Sequence, residues 1–262
     1  VVVTGQNYLR HESEIMVIVA EGPYITLNEY SLSDDNAQLD FGEEAGLDIV
    51  LKNVGIEQSE EGTATLTTES EYAEIINGST SVNSMNPDQT INIDNAFSFS
   101  VSDEVPNKTN IDFLLTIVSG DDTYESNITL KAYAPELQIG NVSITEINGN
   151  GNGRLDPAEE ATLTFTILNK GNSNTNAANV NLTMNNPYIE VLSDPVVIES
   201  IEADGSSQAQ FTVYVSSNAP AGVAAEYTLD CVSGHYTATK DFISKIGLIV
   251  EDFELGVLGE GW

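Results

Sequence analysis

The residue pattern best suited to chemistry in this chain is an alternation of asparagine and glycine that ends in carboxylates. From Asn148 to Glu159 the oxygen-bearing side chains follow the spacing of a calcium loop: ligands at positions 1, 3, 5 and 9, Gly153 at position 6 and glutamate at position 12. Calcium takes six to eight oxygen ligands, which Asn, Asp and Glu can supply. The spacing predicts a calcium site made of Asn148, Asn150, Asn152, Arg154, Asp156 and Glu159.

Two departures from the calcium-loop pattern keep an alternative open. Position 1 is Asn148 rather than Asp, which leaves few formal charges, and the flanking residues have strand-like rather than helical patterns. The alternative is an Asn-Gly turn in which Asp156 and Glu159 face solvent. In the calcium hypothesis, Glu160 assists as a further anion. In the first half of the chain only a degraded version occurs, from Asp34 to Asp40, and we expect a solvated loop there.

Cysteine and histidine suggest a second kind of chemistry, because a cysteine nucleophile needs a nearby base to form its thiolate. Cys231, however, is in phase with Tyr227 and Leu229 on a strand pattern, which predicts a thiol in the core. His235 falls in a predicted hairpin turn, and His11 falls in a polar turn near the N-terminus with no nucleophile beside it. We expect neither cysteine nor histidine to be catalytic.

Glutamates and tyrosines provide two further candidate sets. A carboxylate pair could hydrolyse glycosides, but nothing in the sequence fixes two glutamates at a working separation. Tyrosines could form a platform for sugar or peptide, whereas the recurrence of Tyr72 and Tyr188 at matched positions indicates packing. The glutamates are Glu57, Glu60, Glu61, Glu69, Glu71 and Glu74, and the tyrosines are Tyr72, Tyr124, Tyr188 and Tyr236.

Short strands must position all of these residues. Apolar side chains alternate with polar ones in runs such as Leu163-Phe165-Ile167 and Phe211-Val213-Val215, and turn-forming clusters such as Asp204-Gly205-Ser206 separate the runs. Helical periodicity is absent. The sequence therefore predicts an all-β fold.

An internal repeat divides the chain. At an offset of 116 residues, Leu51-Lys52-Asn53-Val54-Gly55 matches Ile167-Leu168-Asn169-Lys170-Gly171, and at an offset of 114, Val118-Ser119-Gly120 matches Val232-Ser233-Gly234. Each copy has the size of an immunoglobulin-like sandwich. We predict two tandem immunoglobulin-like antiparallel β-sandwiches with equivalent inward residues, which are Phe97 and Phe211, Leu115 and Leu229, and Leu66 and Leu182.

Four segments follow from the repeat. Residues 1–20 are interpreted as the end of a preceding immunoglobulin-like module and form an N-terminal hairpin from two apolar runs around Gln6 to Glu14. Residues 21–134 and 135–247 are the two predicted sandwiches. Residues 248–262 are interpreted as a linker into a C-terminal module.

Composition excludes several classes of function. The 41 acidic and 8 basic residues give a formal charge of −33, so no basic patch can bind nucleic acid. The longest apolar runs are far shorter than the roughly 20 residues of a spanning helix, so we expect no membrane insertion. The single cysteine excludes an internal disulfide and a cysteine-based zinc site. We expect a monomer.

Several short motifs, taken in order, resemble a known family. Residues 2–8 resemble the end of the small immunoglobulin-like domain that closes the peptidase module of gingipain-like cysteine peptidases secreted by Bacteroidetes. Gly151 to Glu159 and Leu168 to Gly171 resemble repeated β-sandwich modules of bacterial surface proteins. Glu251 to Glu254, followed by Gly261-Trp262, is similar to the opening of an adhesin-type jelly roll.

The resemblance implies an extracellular or cell-surface parent protein with peptidase activity in an upstream domain, and no catalytic residue carries over to this chain. We expect a non-catalytic spacer or adhesion region whose partners are other domains of the parent chain, with an extracellular protein or glycan as a further candidate partner. The alternative is a module that binds carbohydrate or protein through its loops. A hydrolase within this segment ranks last.

Overall fold

The structure, a computed structural model, describes residues 2–3, 11–12, 21–33 and 37–247. Strands are the regular elements of this part, as the predicted all-β class requires. Within the same residues, no helix is long and apolar enough to cross a membrane. Ile15 to Ala20, Asp34 to Asn36 and the predicted linker at 248–262 lie outside the described residues.

A short antiparallel pair lies at the N-terminus. Strand β1 (Val2–Val3) pairs with β2 (His11–Glu12), with Val3 opposite His11. The predicted hairpin is therefore present, but its second strand lies inside the stretch that the sequence assigned to the turn.

The next nine strands form two sheets with the orders β3-β5-β9-β7 and β4-β11-β10-β6-β8. Their bounds are β3 (Ile25–Leu32), β4 (Leu39–Asp40), β5 (Glu44–Asn53), β6 (Gly62–Thr68), β7 (Ala73–Asn77), β8 (Ser79–Val82), β9 (Thr90–Val101), β10 (Thr109–Ser119) and β11 (Asp122–Tyr133).

The last eight strands form two further sheets with the orders β12-β13-β17-β15 and β16-β14-β18-β19. Their bounds are β12 (Leu137–Asn148), β13 (Glu160–Asn169), β14 (Ala178–Met184), β15 (Ile189–Val191), β16 (Val196–Ile198), β17 (Ser206–Val215), β18 (Ala224–Ser233) and β19 (Tyr236–Lys245).

Both sandwiches have the strand order of an immunoglobulin domain. In the first sandwich, the immunoglobulin letters A to G correspond in order to β3, β5, β6, β7, β9, β10 and β11. The two sheets are then ABED and CFG. Strand β8 is added beside C, and strand β4 is added beside G. The second sandwich repeats this arrangement from β12 to β19, with β16 beside C. A parallel bridge between Leu155 and Ile246 takes the place of the β4–β11 pairing. The predicted fold, two immunoglobulin-like sandwiches, is confirmed.

Contacts group the described residues into two compact units whose bounds differ from the predicted domain boundaries. The first unit draws on Val1–Ala37, Glu44–Ser100 and Asp112–Thr129, and the second on Gln38–Glu43, Val101–Ile111 and Leu130–Trp262. Three segments of the first repeat, 38–43, 101–111 and 130–134, thus belong to the second unit. The predicted boundaries, which concern the repeats, stay predictions.

Alternating burial along the strands places the apolar side chains between the sheets. All six residues predicted to face inward are buried: Phe97, Phe211, Leu115, Leu229, Leu66 and Leu182. In the first unit, Phe99 of β9 packs against Phe113 of β10 with ring centroids 4.8 Å apart. In the second unit, Phe165 of β13 contacts Tyr227 of β18 at 6.1 Å. Aromatic pairs therefore bridge the two sheets in both cores.

A fully buried asparagine closes the end of each sandwich. In the second unit, Asn169 Oδ1 accepts hydrogen bonds from the amides of Glu136 (3.0 Å) and Gly171 (2.9 Å). Its Nδ2 donates to the carbonyls of Ser173 (2.8 Å) and Ile201 (3.1 Å). One side chain thus satisfies four backbone groups from three separate segments, which buried peptide groups require.

Asn53 makes the same bonds in the first unit. Its Oδ1 accepts from the amides of Tyr24 and Gly55, and its Nδ2 donates to the carbonyls of Glu57 and Met85. The glycine two residues later is obligatory, because a Cβ on Gly55 would lie 2.3 Å from the carbonyl oxygen of Gly22. A Cβ on Gly171 in the second unit would lie 2.2 Å from the carbonyl oxygen of Ala134.

We expect Asn169→Ala to lower the free energy of unfolding by about 2–4 kcal/mol, because it leaves buried amides and carbonyls without partners. Urea unfolding followed by circular dichroism measures the change. Asn181→Ala, on an exposed position of β14, is the matched control and should cost well under 1 kcal/mol. Equal losses for the two variants would contradict a structural role for the asparagine.

Candidate functional site

The predicted calcium loop connects β12 to β13, the edge strand and its neighbour in one sheet of the second unit. The register of this pair shifts between Glu146 and Asn148, which is the mark of a β-bulge. Gly151 and Gly153 adopt φ angles of 78° and 73°, which favour glycine. The bulge and these two glycines fold the loop back over the end of β12.

Glu146, which the sequence analysis missed, is the central acceptor of the loop. Its carboxylate accepts hydrogen bonds from the amides of Gly151 and Gly153, each at 2.6 Å. The Gly151 amide, followed by those of Gly153, Arg154 and Asn152, lowers the pKa of Glu146 below its ordinary value, against an opposing effect of desolvation. The calcium-loop rule starts at Asn148, so spacing alone gave no signal for a residue two positions earlier.

Four of the six predicted ligand residues lie close together, and two of the four, Asp156 and Glu159, are hydrogen-bond acceptors for the other two. The Nδ2 atoms of Asn150 and Asn152 donate to Asp156 Oδ2 at 2.8 and 2.6 Å. The backbone amide of Asn150 donates to Glu159 Oε1 at 3.1 Å. The other oxygen of this carboxylate, Oε2, is buried and has no hydrogen-bond partner among the described residues.

The other two predicted ligands are placed differently. Asn148 and Arg154 are exposed, and neither side chain makes a hydrogen bond or an ion pair with the described residues. Within residues 21–33 and 37–247, no group of three or more His, Cys, Asp or Glu side chains is arranged to hold a metal ion. The carboxylates instead accept hydrogen bonds from amides of their own loop, whereas the alternative placed Asp156 and Glu159 in solvent. Calcium binding and the plain turn both stay predictions.

We expect Glu146→Gln to speed hydrogen exchange at the Gly151 and Gly153 amides at neutral pH, relative to Glu199→Gln, an exposed control. A lowered pKa in the folded state means that the carboxylate stabilises the loop above its ordinary pKa and that this stabilisation disappears as the pH falls through the lowered value. The difference between wild type and Glu146→Gln should therefore shrink on acidification. Equal exchange at neutral pH would contradict the role of Glu146.

For calcium, we expect weak binding in the range of extracellular modules, on the order of 10⁻⁴ to 10⁻³ M, because the loop has few formal charges. At ten times the dissociation constant, binding adds about 1.4 kcal/mol of stability. Thermal unfolding in millimolar calcium and in chelator measures this gain, and Asp156→Ala should remove it. Identical melting temperatures in both buffers would leave the loop as a plain turn.

Cys231 is fully buried in the second core, as its phase with Tyr227 and Leu229 predicted. Burial raises the pKa of the thiol to about 11. His235 lies in the turn between β18 and β19, where Nε2 lies 3.5 Å from Asp103 and Nδ1 lies 3.1 Å from Glu104. The thiol therefore stays protonated at neutral pH, and the imidazole has carboxylate neighbours.

We expect Cys231 to resist alkylation in the folded chain at neutral pH, because both its burial and its raised pKa suppress the thiolate. Mass spectrometry after iodoacetamide treatment measures the labelled fraction, with and without urea. Thr237→Cys, on an exposed position, is the control and should label rapidly. Labelling of Cys231 at a similar rate in the folded chain would show a reactive thiol.

The remaining candidate sets are dispersed. All six candidate glutamates are exposed. Tyr188 packs against the second core, and Tyr124 donates its hydroxyl to the carbonyl of Pro23 at 3.0 Å. Tyr236 donates to the carbonyl of Val105 at 2.8 Å and packs edge-on against Phe41. Burial, with the charges of Asp103 and Glu104, raises the pKa of Tyr236 to about 12. Packing thus accounts for these three tyrosines.

An open cleft of about 460 Å³ lies in the second unit. Its volume is in the range of small-ligand sites. The cleft is lined by Tyr236 and by Glu136, which is exposed. The other lining residues are Pro106, Asn107, Pro135, Leu137, His235 and Thr237.

No family model matches the sequence, and no curated protein matches it. Among solved structures, red sea bream transglutaminase is 12% identical over 86% of this chain, with a TM-score of 0.32, and the match spans 32% of that chain. A Porphyromonas gingivalis W83 protein of unknown function is 10% identical over 86% of this chain and 99% of its own, with a TM-score of 0.26. The C-terminal domain of the Streptococcus agalactiae AgI/II polypeptide BspA is 13% identical over 82% of this chain and 99% of its own, with a TM-score of 0.38. At these scores the similarities carry no argument about function.

Proposed function

We propose that this chain is a non-catalytic spacer or adhesion region of an exported, gingipain-like cell-surface protein, in which immunoglobulin-like sandwiches carry other domains. The observation that carries the proposal is the connector between β11 and β12. Only Ala134, Pro135 and Glu136 separate these strands. A short connector with hydrogen-bonded backbone groups suits a spacer better than a Gly/Ser-rich linker, which behaves as a random coil.

Every backbone donor and acceptor of Ala134 and Glu136 has a partner within the second unit. The Ala134 amide donates to Asn107 Oδ1 (3.3 Å), and its carbonyl accepts from the Asn172 amide (3.1 Å). The Glu136 amide donates to Asn169 Oδ1 (3.0 Å), and its carbonyl accepts from the Lys170 amide (2.7 Å). Pro135, which has no N–H and a fixed φ, is buried between them.

The charge of the chain suits such a spacer. The charge of −33 keeps the chain soluble and repels polyanions, so nucleic acid is no partner. The motif resemblance adds a peptidase domain upstream and an adhesin-type module downstream as the partners to be joined. Peptidase activity then belongs to the parent protein, and this segment contributes no catalytic group.

The cleft favours a second candidate function, a module that binds a glycan or a protein segment. Its size suits a small ligand, and the Tyr236 ring beside the Glu136 carboxylate would suit a sugar or a peptide side chain. On this alternative the loops at one end of the second sandwich recognise the ligand. The spacer proposal requires no ligand there.

Binding assays separate the two functions. We expect the purified chain to cleave no peptide library and, where it acts only as a spacer, to show no saturable binding to glycan arrays or immobilised extracellular matrix proteins. Hydrogen exchange at Ala134 and Glu136 should be slow and should rise in Asn107→Ala but not in Asn181→Ala. Saturable binding that Thr237→Arg abolishes, by filling the cleft, would favour the binding module, and fast exchange at the connector would contradict the spacer.

A further inference from the structure

The chain contains four Asn-Gly pairs, and three of them are consecutive in the loop between β12 and β13. The pairs are Asn77-Gly78, Asn148-Gly149, Asn150-Gly151 and Asn152-Gly153. A glycine after asparagine leaves the peptide nitrogen unhindered, so the nitrogen can attack the side-chain amide. The structure holds the four asparagines in different ways, and this difference decides which of them can react.

We propose that Asn148 is a site of spontaneous deamidation that converts it to a carboxylate in the folded chain. The Gly149 nitrogen bonds to Cγ of Asn148, the Cγ–Nδ2 bond breaks, and ammonia leaves with the proton of the Gly149 amide. Water then opens the resulting succinimide at either carbonyl and gives isoaspartate or aspartate. The net change exchanges ammonia for water, which adds one negative charge and about 1 Da.

Hydrogen bonds protect the two asparagines that follow. Asn150 donates through Nδ2 to Asp156 at 2.8 Å and accepts through Oδ1 from the Asn152 amide at 3.1 Å. Asn152 donates through Nδ2 to Asp156 at 2.6 Å. The attacking nitrogens of Gly151 and Gly153 are also fixed, because both amides donate to Glu146 at 2.6 Å. Reaction at either asparagine requires these bonds to break first.

Asn77 is protected by its backbone rather than by its side chain. It is the last residue of β7, and Gly78 alone separates it from β8. The Gly78 carbonyl accepts a hydrogen bond from the Leu66 amide at 2.9 Å. Strands β7 and β8 are both paired, and this pairing opposes the backbone rotation that would bring the Gly78 nitrogen into contact with Cγ of Asn77.

Asn148 lacks the side-chain protection, and a paired strand precedes it but does not follow it, since its register partner Glu160 is the last of the β12–β13 pairing. Its side chain is exposed and makes no hydrogen bond with the described residues. It ends β12 directly after the bulge, and Gly149 already belongs to the loop. Gly149 also lies against two acids, since a Cβ there would lie 2.3 Å from Glu146 Oε2 and 2.8 Å from Glu159 Cδ. Deamidation therefore adds a carboxylate beside two others at the start of the loop.

Timed incubation of the full chain at neutral to mildly alkaline pH tests the proposal, with peptide mapping by mass spectrometry at each of the four sites. We expect the gain of about 1 Da at Asn148 first, with Asn150 and Asn152 at least about tenfold slower because their hydrogen bonds must break. Anion exchange should resolve a product with one added negative charge. Asn148→Gln should abolish this first product, and Asn77→Gln should leave it unchanged.

A second variant tests the protection itself. Glu146→Gln weakens the hydrogen bonds that the Gly151 and Gly153 amides donate to residue 146. The rate of deamidation at Asn150 should therefore rise toward its value in the urea-unfolded chain. Similar rates at all four sites in the folded wild type would overturn the proposal. So would the absence of product at Asn148 over a time in which the unfolded chain reacts at that site. None of these outcomes depends on calcium binding or on the spacer function.

Discussion

The two sandwiches depend on one buried side chain each, the asparagine that ends the second strand of the ABED sheet. Asn53 and Asn169 are both 0% exposed, and each joins the start of its sandwich to later loops through four backbone groups. The amides of Gly55 and Gly171 and the carbonyls of Met85 and Ser173 belong to buried residues, so water cannot replace the asparagine as their partner. Antibody domains have a disulfide packed against a tryptophan in their core. In this chain the cores are aromatic, and a hydrogen-bonded asparagine, here called the asparagine clamp, lies at the end of each sandwich.

The clamp belongs to a buried polar set that occurs in both sandwiches. Ser59 and Thr175 exchange hydrogen bonds with the backbones of Met85 and Ile201, respectively. Ser119 and Ser233, at the ends of matching strands, donate their hydroxyls to the carbonyls of Glu60 and Asn176. Ser173, whose hydroxyl donates to Asp40 in the second unit, is buried but has no buried counterpart in the first sandwich. Its counterpart, Glu57, is exposed. The shared bonds thus maintain the fold, whereas Ser173 fixes a segment particular to the second unit.

Strand content and topology followed from the sequence because they depend on local alternation and on a repeat that is visible by eye. The inward positions of Phe97 and Phe211 could be predicted for the same reason. The role of Asn169 could not, since an asparagine two residues before a glycine indicates a surface turn unless its burial is known. Glu146 and the pairing of His235 with Asp103 were missed because they depend on a bulge and on contacts between residues far apart in sequence.

The excess of acids constrains the surface, because 41 carboxylates have only 8 lysines and arginines as partners. The ion pairs of Lys52 with Asp88 and of Lys170 with Asp204 have mostly exposed carboxylates, so each contributes little. Neutral donors take the place of cations. Across β18 and β19, Thr228 donates to Asp241 and Thr239 donates to Asp230, both at 2.7 Å between residues directly opposite in the register.

The loop after β12 follows the same rule, with backbone and asparagine amides as the donors. Such bonds do not depend on a second charge, so salt screens them far less than it screens exposed ion pairs. A surface satisfied by hydroxyls and amides therefore keeps its local structure as the salt concentration rises. Its net charge of −33 opposes association with other acidic surfaces most strongly at low salt.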